Sequence, residues 1–207
     1  MKVSQLHSFV LGISFIAAIA LSSARAAAGV PTEQIRATVD KALIVLKDPK
    51  LRTSNKTQER RDQLRQILFS RFDFNEMAKR ALGAEWRRRS PAEQEEFARL
   101  FTELLERAYS ETIESYTDEK IIYVGEKQEG RFANVNSKIL TSKGQEYSID
   151  YKVHLLDNEW KVYDIVVENI SMVNNFRSQF SRVLNNSSYE ELVRRLRAKA
   201  EYQPDKK

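Results

Sequence analysis

Residues 145–156 read QEYSIDYKVHLL, and their alternation decides the fold. Tyr147, Ile149, Tyr151, Val153 and Leu155 take every odd position, while Glu146, Ser148, Asp150, Lys152 and His154 take every even one. Successive side chains of a strand point to opposite faces, so this stretch is predicted to be a strand with one dry face and one wet face. Upstream, a turn at Ser142–Gly144 separates it from RFANVNSKIL, and Gly130 separates that from KIIYVGE. Downstream, Asp157 and Asn158 form a turn into EWKVYDIVVEN. Short strands joined by such turns make an antiparallel meander of four strands. A sheet that is dry on one side needs cover, and the flanking sequence supplies it.

Helical spacing occupies the chain from Pro31 to about Tyr116 and again from Ser171 onward. PTEQIRATVDKALIVL places Ile35, Val39, Ala42, Leu43 and Leu46 on one face, and Pro49 limits it. TQERRDQLRQILFSRFDF gathers Leu64, Ile67, Leu68 and Phe72. The longest helix starts at SPAE, Ser90 to Glu93: a capping serine, proline in the first turn and a glutamate able to close a capping box. Its stripe runs Phe97, Leu100, Phe101, Leu104, Leu105, Ala108, Tyr109, Ile113, Tyr116. In YDIVVENISMVNNFRSQF, residues 163–180, a strand with Tyr163, Ile165 and Val167 on its odd face gives way at Ser171 to a helix. That helix carries Met172, Val173, Phe176 and Phe180, with Arg177 facing outward. The fold class is α+β: a four-stranded antiparallel sheet wrapped by N- and C-terminal helices.

The 207 residues, 42% hydrophobic and 30% charged, suit one domain after a leader is removed. That leader is FVLGISFIAAIAL from Phe9 to Leu21 followed by SSARA, the pattern of a cleaved secretory signal over residues 1–26. Its apolar run is shorter than the roughly 20 residues that span a bilayer. The division expected is 1–26 signal peptide and 27–207 a single exported domain. With no cysteine, the chain has neither disulfide nor thiolate metal site, nor a lipidated cysteine anchor. Loss of Lys2 and Arg25 leaves 32 basic against 29 acidic side chains, too even a balance for a nucleic-acid reader. Basic groups at Arg87 to Arg89 and at Arg194, Arg195, Arg197 and Lys199 read as solvated helix faces, or as contacts for anionic headgroups or a protein partner.

Catalytic chemistry finds little support. Only His7 and His154 occur, and His154 lies on the wet strand face, too far along the strand from Asp150 to bond it directly. No HExxH, GxxxxGK[ST], GxSxG or GxGxxG is present. Asp164 with Tyr163 or Tyr151 could act as the acid and base of an isomerase-type enzyme on a half-open cone of helix on curved sheet. The alternative places Asp164 on the outer face of the last strand. Long apolar surfaces remain, which build a core or line a ligand cavity.

Two segments carry a resemblance: FDFNEMAKRALGAEWRRRSPAEQEEFARLF and VYDIVVENISMVNNFRSQF, in this order, behind a leader. Leu82-Gly83 and Trp86 before Ser90-Pro91, the Tyr163-Asp164 pair, and Ile170-Ser171-Met172-Val173 leading to Arg177 and Phe180 are its telling pieces. From about residue 33 to 200 the chain resembles the MlaC family, periplasmic phospholipid-binding proteins of the Mla, or toluene-tolerance, ABC transport pathway. The resemblance implies a cone-like, NTF2-like sheet wrapped by helices around an apolar cavity, with a phospholipid as cargo, no cofactor and no catalysis. It implies shuttling between an outer-membrane lipoprotein complex and an inner-membrane ABC transporter with its MCE protein, which maintains outer-membrane lipid asymmetry. A related branch serves hopanoid biosynthesis, so a hopanoid-associated carrier or adaptor stays open beside the isomerase-type enzyme. On this resemblance, Leu104, Tyr109, Ile113, Val135, Ile149, Tyr151, Val153, Ile165, Val167, Met172, Val173 and Phe176 are expected around the acyl chains. Arg87 to Arg89, or Arg177 and Arg182, are expected at a basic rim, and no metal or nucleic acid is implied.

Overall fold

The computed structural model describes residues 30–116 and 119–201; the expected signal peptide lies outside them. The order is α1 (Pro31–Lys47), α2 (Thr57–Phe69), α3 (Phe74–Leu82), α4 (Pro91–Glu114), β1 (Lys120–Glu129), β2 (Phe132–Leu140), β3 (Glu146–Leu156), β4 (Glu159–Val167), β5 (Ile170–Ser171), α5 (Met172–Asn186) and α6 (Tyr189–Glu201). The strands form one antiparallel sheet in the order β1-β2-β3-β4-β5. The meander and its helical flanks are those the alternation predicts, with one short strand added. Asp157 and Asn158 take φ of 49° and 64°, as a tight two-residue hairpin requires. Glu168 and Asn169 repeat this geometry at 47° and 64°, turning the chain back to pair Ser171 with Val166.

Two irregularities decide which side chains share a face. β1 shifts register between Tyr123 and Gly125, and β4 pairs Asp164 with Lys152 but Val162 with Val153, leaving Tyr163 as an extra residue. A bulge of this kind moves all residues beyond it to the other face. The expected common face of Tyr163, Ile165 and Val167 is therefore corrected. Ile165 shares the face of Tyr151, but Val162 and Trp160 continue it, while Tyr163 meets Phe132 and His154 on the other side.

The second predicted helix also divides. α2 ends at Phe69, and Phe72 bridges β4 in parallel, with Val162 N–H donating to the Arg71 carbonyl (2.8 Å) and Asp73 N–H to the Val162 carbonyl (2.9 Å). Asp73 then caps α3, its carboxylate accepting from Glu76 N–H at 2.9 Å. The outer edge of β4 is thus occupied by Phe72 at one end and β5 at the other. At α4 the predicted capping box is present: Ser90 Oγ accepts from Glu93 N–H (3.3 Å), and the Glu93 carboxylate accepts from Ser90 N–H (2.7 Å).

The core is three clusters. Met77, Ala81, Leu82, Phe97, Phe101, Phe176, Phe180 and Leu192 join α3, α4, α5 and α6. Ile35 of α1 covers Ala133, Val135, Val153, Trp160 and Val162 on the odd face of β3. Ala42, Val45, Leu46 and Leu64 join α1 to α2. α4 contributes Phe97 and Phe101 to the first and, through Ile113, borders the third, so its length is used to bridge them. Charged pairs follow the same path: exposed Glu106 to Arg65 at 3.0 Å, worth up to about 1 kcal/mol, and the largely covered Glu114 to Arg60 at 3.3 Å. Arg71 ties α1 to β4, donating to Gln34 Oε1 (2.7 Å), Thr38 Oγ1 (3.0 Å) and the Trp160 carbonyl (2.9 Å).

Candidate functional site

The sheet offers two chemically different faces. On the odd face, Val135 and Val153 are fully buried beneath α1, with Tyr151 and Ile165 at the margin of that cluster. Ile149 is half-buried beyond them, and Val167, at the end of β4, is 40% exposed. Leu104, Tyr109 and Met172 border the helical cluster in which Val173 and Phe176 are buried, and Ile113 borders the α1–α2 cluster. Ten of the twelve expected lining residues therefore divide among three clusters, and Ile149 and Val167 lie outside them. Leu104, Tyr109, Ile113, Ile149, Tyr151 and Ile165 keep part of their apolar surface uncovered.

Burial raises the Tyr109 phenol above its ordinary value. Burial also raises Tyr151, with a hydrogen bond between its hydroxyl and Ser137 opposing. Beside Tyr151 lies a polar spot that sequence reasoning missed. Ser137 donates its hydroxyl to the Ile149 carbonyl at 2.9 Å, while the Tyr123 hydroxyl is enclosed and has no partner among the described residues, its phenol raised chiefly by burial. Nothing in the alternation separates such tyrosines from plain core residues.

The even face meets α3 and α5. His154 Nε2 lies 2.9 Å from Asp73 Oδ2, so the histidine does find a carboxylate, though not Asp150. Asp164 lies on the face of Lys152, as expected, but is covered there rather than solvated, at 4% exposed, and it anchors the start of α5. Its Oδ1 accepts from Val173 N–H (3.1 Å) and its Oδ2 from the Ser171 hydroxyl (2.6 Å), while Ser171 Oγ accepts from Asn174 N–H (3.0 Å). Lys152 Nζ adds an ion pair at 3.6 Å. A carboxylate so engaged is a helix cap, which leaves the isomerase-type pairing with Tyr163 without an available base.

Around it opens a cleft of about 490 Å³ lined by Lys79, Arg80, Gly83, Trp86, Arg87, Lys152, Tyr163, Asp164, Val173, Asn174 and Arg177. Arg80 lies 4.2 Å over the Tyr163 ring and 2.8 Å from Glu76, which Lys79 also reaches at 3.2 Å. Burial raises the Tyr163 phenol, with Arg80 opposing. Gly83 has φ of 68°, and a Cβ there would stand 3.1 Å from Arg177 Nε, so the arginine crosses bare backbone. Of the expected basic rim, Arg87 and Arg177 line this cleft, Arg89 pairs with Glu85 at 2.6 Å, and Arg182 back-bonds its own helix. Among the described residues no group of three or more His, Asp or Glu side chains could hold a metal ion. No described helix is long and apolar enough to cross a membrane.

Comparison with known proteins agrees with this geometry. The phospholipid-binding protein from Ralstonia solanacearum, solved in complex with a phospholipid, superposes with a TM-score of 0.71 at 26% identity, over 81% of this chain and 95% of that one. The intermembrane phospholipid transport system binding protein MlaC of Haemophilus influenzae is 28% identical over 126 residues, 58% of this chain and 59% of that protein. The chain thus spans less than two thirds of that relative's length. Toluene tolerance protein ttg2D of Pseudomonas putida is 26% identical over 157 residues, 75% of this chain and 73% of that protein. The family model described as MlaC protein matches residues 36–198, nearly the whole of the described fold, and the chain belongs to the MlaC family.

Proposed function

We propose that this chain is a periplasmic phospholipid carrier, which holds acyl chains against the odd face of its sheet and passes lipid between the outer and inner membranes. The observation that carries this reading is the Ralstonia fold, matched over 95% of its length and solved with a phospholipid bound. The half-covered residues Leu104, Tyr109, Ile113, Ile149, Tyr151 and Ile165 are the ones that acyl chains would cover more fully. Val135 and Val153 form the wall behind and Val167 one end, while Met172, Val173 and Phe176 belong to α5 on the even side of the sheet and are not assigned to the acyl chains. An outer-membrane lipoprotein complex and an inner-membrane ABC transporter with its MCE protein are the expected donor and acceptor. The apolar leader and small-residue cleavage pattern support export to the periplasm.

Each methylene taken from water contributes about 0.8 kcal/mol, so two acyl chains would exceed the practical ceiling of about 18–21 kcal/mol if the lipid began in water. It begins in a bilayer, already dry, so transfer into an apolar site is near balance. A carrier of this kind needs no catalytic group, and none is assigned.

Purified without detergent and examined by native mass spectrometry, the mature protein is expected to carry phospholipid at fixed stoichiometry. Ile149→Glu, which sets a charge on the odd face, is expected to lower that occupancy. An empty protein that also takes no lipid from vesicles would sink the proposal.

A further inference from the structure

We propose that the cleft between α3 and α5 is a docking surface for an acidic segment of a partner protein. The proposal rests on the carrier reading only for the kind of partner, one that receives or delivers lipid. The cleft itself is argued from charge, shape and position.

Its cations outnumber the carboxylates that could neutralise them. Lys79 and Arg80 share Glu76, and Lys152 faces Asp164, which is already bonded to the first turn of α5. Arg87 and Arg177 line the cleft, and among the described residues neither has a carboxylate within ion-pair distance. By contrast, the exposed Arg194 and Arg195 are both paired with Glu191, at 2.6 and 2.7 Å. Two unshared guanidinium groups in one concavity, with Arg80 and Lys152 beside them, present a field that a pair of carboxylates would complement.

Position separates the cleft from the cargo. Lys152 is an even residue of β3, on the face opposite Ile149, Tyr151 and Val153, and α3 begins on that side, where Asp73 meets His154. A headgroup whose acyl chains lie on the odd face is therefore on the far side of the sheet. Shape favours a protein over a membrane. The cleft is a recess of about 490 Å³ walled by Trp86, Tyr163 and Val173, into which a side chain enters and a bilayer surface does not. Arginine, tryptophan and tyrosine together are the residue types that dominate binding energy at protein interfaces. The occupant is thus a peptide segment with at least two carboxylates and an apolar side chain to lie against Trp86.

The test titrates folded protein, lipid-loaded and delipidated, into fluorescently labelled octaglutamate and follows anisotropy. Binding that weakens as salt rises is expected. Arg87→Ala/Arg177→Ala should weaken it about tenfold or more, and Arg194→Ala/Arg195→Ala, the same change in charge elsewhere, by less than about twofold. Arg87→Lys/Arg177→Lys should retain most of the binding, which covers any loss of folding in the alanine pair. Equal losses in the two alanine pairs, or no binding by the wild type, would overturn the proposal. So would capture of phosphatidylglycerol vesicles through Arg87 and Arg177 without capture of the peptide. Lipid occupancy of the Arg87→Ala/Arg177→Ala protein is expected to be unchanged; its loss would make the cleft part of the cargo site and overturn a separate docking surface. Peptide binding by a protein that never carries lipid would retain the docking surface and remove only the carrier reading.

Discussion

Replacing Asp164 with alanine tests how the sheet holds the helix that follows it. The carboxylate accepts from Val173 N–H at 3.1 Å and the Ser171 hydroxyl at 2.6 Å, within a residue that is only 4% exposed. Hydrogen bonds to a charged group contribute about 1.5–3 kcal/mol each, and truncation strands a buried N–H. Lys152, 3.6 Å away and 40% exposed, adds less than about 1 kcal/mol because water screens it. Asp164→Ala should therefore cost about 3–5 kcal/mol. With a urea slope of about 2 kcal/mol/M, the midpoint followed by circular dichroism should fall by about 1.5–2.5 M. Asp164→Asn keeps one acceptor for Val173 N–H and can turn its amide toward Ser171, so it should lose about half as much. Ser171→Ala removes a cap worth about 1 kcal/mol plus its bond to the carboxylate, and the two changes together should cost less than their sum. An alanine variant within about 1 kcal/mol of wild type, an asparagine variant worse than alanine, or strict additivity with Ser171→Ala would refute the capping argument.

Gly83→Ala imposes a Cβ at φ of 68° beside Arg177 and should cost about 1–3 kcal/mol, visible as a lowered thermal midpoint; an unchanged midpoint would count against the required backbone. Tyr123→Phe removes an enclosed hydroxyl that has no partner among the described residues, so the urea midpoint should rise by the equivalent of about 1 kcal/mol, and a fall would mean the hydroxyl is satisfied. Burial raises the phenols of Tyr109, Tyr123, Tyr151, Tyr163 and Tyr189, the last to about 12, which sets the alkaline limit. The unfolded chain loses these protons first, above about pH 10, so their contribution is complete below that value and falls as pH rises toward 12 and beyond. Urea midpoints that hold steady or rise through that interval would contradict it.

The third strand was legible because its alternation is unbroken for ten residues, and the start of α4 because a capping box is a local signal. The faces of β4 were not, since an extra residue at Tyr163 leaves the composition of the strand unchanged while reversing its parity. Asp164 keeps its expected face, opposite Lys152, but its burial was not legible for another reason: alternation assigns a carboxylate to water unless its hydrogen-bond donors, seven and nine residues later, are known to fold back onto it. Asp73 and Glu76 stand at the spacing of a helix start, a signal that could have separated α3 from α2. The basic cleft was only half legible. Arg87 and Arg177 lie far apart in the chain, and no periodicity brings a 3-10 turn beside the second turn of α5.

With the outer edge of β4 taken by Phe72 and β5, the main remaining site where a foreign strand could add to the sheet is β1. Its exposed Ile122 and Val124 would invite such pairing in a flat strand. The register shift beside Val124 and the charges of Glu126, Lys127 and Glu129 along the same edge oppose it. Resistance to self-association in a crowded compartment is thereby concentrated in one strand. Deleting Val124 would remove the shift and, with it, the local twist that opposes pairing along this edge.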